Sequence, residues 1–202
     1  MNDGECGSAK SIAPSQQSIR RQQRARRRRQ PPLWVILNES MSDVIVNSRL
    51  SFSIARHVRW SNPPWGVTPS INDVPLTELV ARFEVAEKFE PPLGGYGALL
   101  PEIFDFGPLD RYFLGEFKPG SYFEHAGFYL LGCHCGELGC WPLKCQIKIA
   151  NTNITWHGFN QPHRRERDYL HFGPFVFDSH QYKQAVSDLC TDYASRLSAD
   201  RV

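Results

Sequence analysis

The run Leu143-Lys144-Cys145-Gln146-Ile147-Lys148-Ile149-Ala150 is followed by Asn151-Thr152-Asn153 and then by Ile154-Thr155-Trp156-His157-Gly158-Phe159. Leu143, Cys145, Ile147 and Ile149 alternate with Lys144, Gln146 and Lys148, which is the period of two of a strand with one wet face. The Asn-rich tripeptide is a tight turn, so the segment from Ile154 to Phe159 returns antiparallel. Upstream, His125 to Gly132 supplies another strand and completes a three-stranded meander. Downstream, Phe175-Val176-Phe177 reads as a short strand. Asp178, with Gln181 three positions later, then caps a final helix near residues 179–197. Tyr182, Ala185, Val186, Leu189, Tyr193 and Leu197 form that helix's apolar stripe, with Cys190 an inert thiol at its edge.

The N-terminal half is less regular. Val44, Val46, Leu50, Phe52 and Ile54 read as a strand with an irregularity at Asn47-Ser48, and Pro63, Pro64 and Pro69 imply an irregular connection after it. Asp73-Val74-Pro75 is a helix start, with Asp73 as cap. Leu76, Leu79, Val80 and Phe83 follow at helical spacing, which predicts a helix near 75–88. Pro91 to Gly120 is dense in Gly, Pro and aromatic residues and reads as packed loop. Its Gly94-Gly95-Tyr96-Gly97 lacks the Lys-Ser/Thr of a phosphate-binding loop. The expected fold is a single α+β domain over about residues 41–200, built on a mostly antiparallel sheet.

Charge is unevenly placed. Residues 1–32 hold eight basic groups, including Arg26, Arg27, Arg28 and Arg29, against Asp3 and Glu5, a local +6 within a chain total of +2. The body therefore nets −4, which excludes a basic nucleic-acid groove and leaves the arm as the one route to nucleic acid, by counterion release. The arm is almost free of large apolar side chains and is expected to be disordered. Its abrupt end also suits a translation start at Met41. The basic run is not followed by an apolar stretch of leader length, and Leu33 to Leu37 is far too short to cross a bilayer. No membrane partner is expected. Six cysteines, four of them between Cys133 and Cys145, are not the spread framework of a disulfide-bonded secreted protein, so a reducing cytoplasm is expected.

The chemistry concentrates in Cys133-His134-Cys135-Gly136-Glu137-Leu138-Gly139-Cys140-Trp141-Pro142. Three thiols fall within eight residues, separated by glycines that let the backbone fold back and the sulfurs meet. Zinc suits such a set because thiolates are soft donors and the ion keeps them deprotonated. Reduced cysteines without metal and a redox dithiol are the competing readings. The redox reading is the weaker, because there is no Cys-x-x-Cys at a helix start. The fourth-ligand candidates are Cys145, His134, His157 and His163. Cys145 shares the apolar strand face and reads as core. A hairpin about Asn151-Thr152 pairs residues whose numbers sum to about 303, which sets His157 near Ile147 and brings His163 back opposite Cys140. The selected metal set is Cys133, Cys135, Cys140 and His163.

Other constellations are weaker. Glu137 is placed to act as a general base if the metal were catalytic. Arg164, Arg165 and Arg167 read either as an anion grip or as a solvated charged loop. Trp60, Trp65, Tyr96 and Tyr112 read as groove lining or as core. The nucleophile elbow, the His-Glu-x-x-His helix and the dinucleotide fingerprint are all missing.

The pattern Cys-x-Cys-Gly-x-x-Gly-Cys-Trp-Pro from Cys133 to Pro142, then Gln161-Pro162-His163-Arg164, then Phe172-Gly-Pro-Phe-x-Phe-Asp178, resembles a family of uncharacterised bacterial proteins. The likeness spans about residues 70–190 and extends to Gly94-Gly95-Tyr96-Gly97 and Phe106 to Asp110. The resemblance implies a bacterial intracellular origin and no assigned activity. Its signature contains the three cysteines and His163. The leading expectation is a non-enzymatic, zinc-stabilised binding or regulatory module with a protein partner. A zinc-dependent hydrolase at the cluster and a nucleic-acid binder working through Arg26 to Arg29 are the alternatives.

Overall fold

The hairpin read from residues 143–159 forms with the expected register. In the computed structural model, which describes residues 48–200, Ile149 pairs with Ile154, Ile147 with Trp156 and Gln146 with His157, so partner numbers sum to 303. A bulge then shifts the pairing, and Lys144 faces Asn160. The elements in chain order are β1 (Leu50–Arg56), β2 (Trp65–Ile71), β3 (Val74–Pro75), α1 (Leu76–Ala86), β4 (Tyr96–Gly97) and α2 (Leu109–Tyr112). They continue with α3 (Tyr122–Ala126), β5 (Phe128–Cys133), β6 (Leu143–Ile149), β7 (Asn153–Asn160), β8 (Phe175–Asp178) and α4 (Ser179–Ala199). Two antiparallel sheets, ordered β1-β2-β3 and β4-β5-β6-β7-β8, with α4 at the C-terminal end, make the chain α+β. The expected meander is β5-β6-β7, extended on both sides by short strands.

Several sequence expectations are corrected. Residues 125–126 belong to α3, and the strand starts only at Phe128, after Gly127 at φ 87° ends the helix. The supposed irregular connection contains β2, with Pro69 inside it. Val67 N–H points away from β1 to Leu99 O at 2.8 Å. The Pro69 nitrogen, two residues on, faces the same side, where β3 pairs only from Ser70, so its missing donor costs no ladder bond. Asp73 does not cap α1. It sits at φ 66° beside Asn72 at φ 51°, and these two positive angles make the tight turn between β2 and β3. Val44, Val46 and the basic arm lie outside the described residues.

Asp178 does cap α4, accepting from the backbone N–H groups of His180 and Gln181. The Gln181 side chain is committed instead to β1, accepting from Leu50 N at 3.0 Å and donating to Leu50 O at 2.7 Å. Trp156, Phe177 and Tyr182 are fully buried where α4 meets the larger sheet. Trp156 Nε1 donates to Tyr182 Oη at 3.1 Å, and Tyr182 Oη donates to Phe113 O at 2.5 Å. Tyr182→Phe leaves an indole donor and a carbonyl unpaired in the core, so it should cost about 1–3 kcal/mol in a denaturant melt.

Candidate metal centre

The site begins where β5 ends. Tyr96 pairs with Cys133 and Gly97 with Gly132, so β4 holds the last turn of β5 from one side. A Cβ on Gly97 would stand 2.7 Å from Cys133 O, which is why only glycine fits there. Beyond Cys133 the backbone folds back. Gly136 N donates to Cys133 O at 3.0 Å, and the Glu137 carbonyl accepts from Cys133 N at 3.3 Å and Cys140 N at 3.4 Å. Gly136 adopts φ 96°, as the reversal requires. Leu138 anchors the loop in the core at 4 % exposure.

This folding gathers the sulfurs of Cys133, Cys135 and Cys140 within 4.8 Å of one another, a cluster positioned to hold a metal ion. Cys135 N–H donates to Cys133 Sγ at 3.4 Å. The cluster grades from buried Cys133 through half-buried Cys135 to exposed Cys140, so it opens to solvent on the Cys140 side. Burial pushes the Cys133 thiol up to about 12. Burial also raises the Cys135 thiol, but hydrogen bonds from Cys133, the Glu137 backbone and Cys140 outweigh it, and its pKa falls below the ordinary thiol value. A shared proton economy of this kind stabilises one thiolate among neighbouring thiols.

The remaining candidates are placed as follows. His163 lies against the loop one residue from Cys140: its Nε2 is 2.6 Å from Gly139 O, and its backbone N–H donates to Gln161 Oε1 at 2.6 Å. A carbonyl only accepts, so His163 Nε2 carries the proton, and the nitrogen braces the turn before Cys140. The group of mutually close donors is the three sulfurs, without His163. His134 donates both its backbone N–H, at 2.9 Å, and Nδ1, at 3.0 Å, to Gly95 O. His157 is half-buried on β7, Cys145 is 5 % exposed in the core, and Glu137 is exposed. Arg26 to Arg29 lie outside the described residues.

Nothing in the sequence tied two neighbours, His57 and Trp60, to the cysteines. His57 Nε2 donates to His134 O at 3.2 Å, and the Trp60 indole nitrogen stands 2.7 Å from where a Gly136 Cβ would be. The segment after β1 thus covers the cysteine loop, a contact across more than seventy residues that no local pattern announces. Of the aromatics read as groove or core, Tyr96 and Tyr112 are core, whereas Trp60 is 36 % exposed. Trp65 is half-buried beneath Arg56 and Arg196.

The reading of residues 164–167 as a solvated loop fails at Arg167, which is buried. Arg167 bonds Glu84 Oε1 at 3.0 Å and the carbonyls of Glu90 and Pro92 at 2.7 and 2.6 Å. Glu84, at 0 % exposure, also accepts from Tyr96 Oη at 2.8 Å, Tyr169 Oη at 2.6 Å and Gly94 N at 2.7 Å. Burial, reinforced by these contacts, raises both phenols, that of Tyr169 to about 12, so each remains a donor. The network adjoins the cysteine loop through Tyr96, which pairs with Cys133, and through Trp141, whose ring lies 5.5 Å from the Arg167 guanidinium carbon.

Among the described residues no helix is long and apolar enough to cross a membrane. No family model matches the chain, and no curated protein or solved structure shows significant similarity to it.

Proposed function

We propose that Cys133, Cys135 and Cys140 bind zinc as thiolates and that the ion makes the 133–142 loop the rigid edge of a binding module for a protein partner. The observation that carries this is the mutual approach of the three sulfurs within 4.8 Å. Tetrahedral zinc with bonds near 2.3 Å sets sulfurs roughly 3.8 Å apart, so only small adjustments separate the thiols from a metal cage. His163 would supply the fourth donor through Nε2, which must release the Gly139 carbonyl and pass its proton to Nδ1 or to solvent. A depression of about 480 Å³ beside the loop, where Ile103, Phe104, Phe123 and Leu138 line the wall alongside Asp105 and Ser121, gives a partner a largely apolar foothold. The bacterial and cytoplasmic setting implied by the signature and the reduced cysteines belongs to the same proposal.

Untagged protein should carry one zinc per chain by elemental analysis, and His163→Ala should weaken zinc at least about tenfold, the loss that removing even a partner behind the ligands causes. A chain that takes up no zinc after incubation with the free ion contradicts the proposal. Cys133 must lose a proton on binding, so between pH 6 and 8 apparent affinity should rise at least tenfold per pH unit, read by chelator competition.

A second reading rests on the three-donor geometry itself, which leaves a coordination position for water and so admits a hydrolase with Glu137 as base. Glu137→Gln should then abolish turnover of activated esters while zinc is retained. Equal turnover in both proteins removes that reading.

A further inference from the structure

Beside the cysteine loop, three buried nitrogen donors have no acceptor: the Gln161 amide nitrogen, the Trp141 indole nitrogen and Arg164 Nε. They share one neighbourhood. Arg164 N closes the turn that Gln161 opens, bonding Gln161 O at 3.0 Å, and the Arg164 guanidinium carbon lies 5.1 Å from the Trp141 ring centre. Gln161 is 2 % exposed, and its Oε1 accepts from His163 N–H, so the group left over is the NH2. Folded proteins pair nearly all buried donors with protein groups or ordered water, and these three donors sit on side chains linked by that turn and that stack. Water accepts two hydrogen bonds and brings two hydrogens of its own. A carboxylate or phosphate accepts three or more and adds negative charge opposite the Arg164 cation. Arg165, exposed and without an ion pair among the described residues, raises the positive potential at the same turn.

We propose that Gln161, Arg164 and Trp141 form a binding site for an oxyanion, the carboxylate or phosphate group of a ligand held next to Cys140. The site needs no metal, so it stands or falls separately from the zinc reading. The full chain, labelled with 15N, is titrated with inorganic phosphate and separately with acetate, with chloride at matched ionic strength as the control. The experiment is run on zinc-loaded and on chelator-treated protein. The indole N–H signal that Trp141→Phe removes should shift and saturate with at least one of the two anions. Arg164→Gln should weaken that anion at least tenfold, whereas Arg165→Gln should change it less than threefold. Saturation by phosphate alone identifies a phosphoryl ligand, and saturation by acetate a carboxylate. A shift that never saturates, that chloride reproduces, or that survives both Arg164→Gln and Gln161→Leu overturns the site and leaves buried water as the acceptor.

Discussion

Arg167→Met is expected to destabilise the protein by about 3–5 kcal/mol, the loss typical when one partner of a buried ion pair is removed. For a domain of this size that is a fall of roughly 6–20 °C in Tm. Glu84 is fully buried and takes four hydrogen bonds, so removing Arg167 leaves its carboxyl group among two phenols and one amide with no cation. The Glu90 and Pro92 carbonyls lose their donor in the same step. The double change Glu84→Leu with Arg167→Met should recover part of the loss, because it removes the stranded charge as well as the pair. A single variant that melts with the wild type shows that the network contributes no stability.

Cys133→Ser is expected to lower zinc affinity by more than about 100-fold, beyond the roughly 10–100-fold loss that follows removal of a partner outside the ligand set. Cys133 is the buried member of the cluster, and its backbone is fixed by β4 on one side and by the Glu137 carbonyl on the other. Cys145→Ala is the informative control. Cys145 is two residues into β6 and faces the core, where its thiol is raised by burial and is not among the clustered sulfurs. It should change stability and leave zinc binding intact. Equal zinc loss in the two variants points to general unfolding rather than to a lost ligand.

What the sequence made legible was what local periodicity encodes. The alternation in β6 with its Asn-rich turn set the register, and that register brought the chain at His163 back to Cys140. Asp178 announced α4 because a capping carboxylate acts within three residues of itself. Two of the misreadings depend on residues far apart in the chain. Pro69 could sit in a strand only because the side facing away from β1 is unpaired there. Arg167 looked like one charge in a solvated run, and only the return of Glu84, eighty-three positions upstream, makes it a core residue. Spacing in the sequence placed His163 beside the loop, but not the hydrogen bond that engages its ring on Gly139 rather than on sulfur.

The proposed sharing of one ion by the three cysteines is tested most directly by X-ray absorption at the zinc edge of the protein purified without a tag. Three sulfur scatterers near 2.3 Å with one lighter donor are expected, and the sulfur count should fall to two in Cys140→Ser. A spectrum without sulfur neighbours, or one unchanged by Cys140→Ser, would contradict a metal held by Cys133, Cys135 and Cys140.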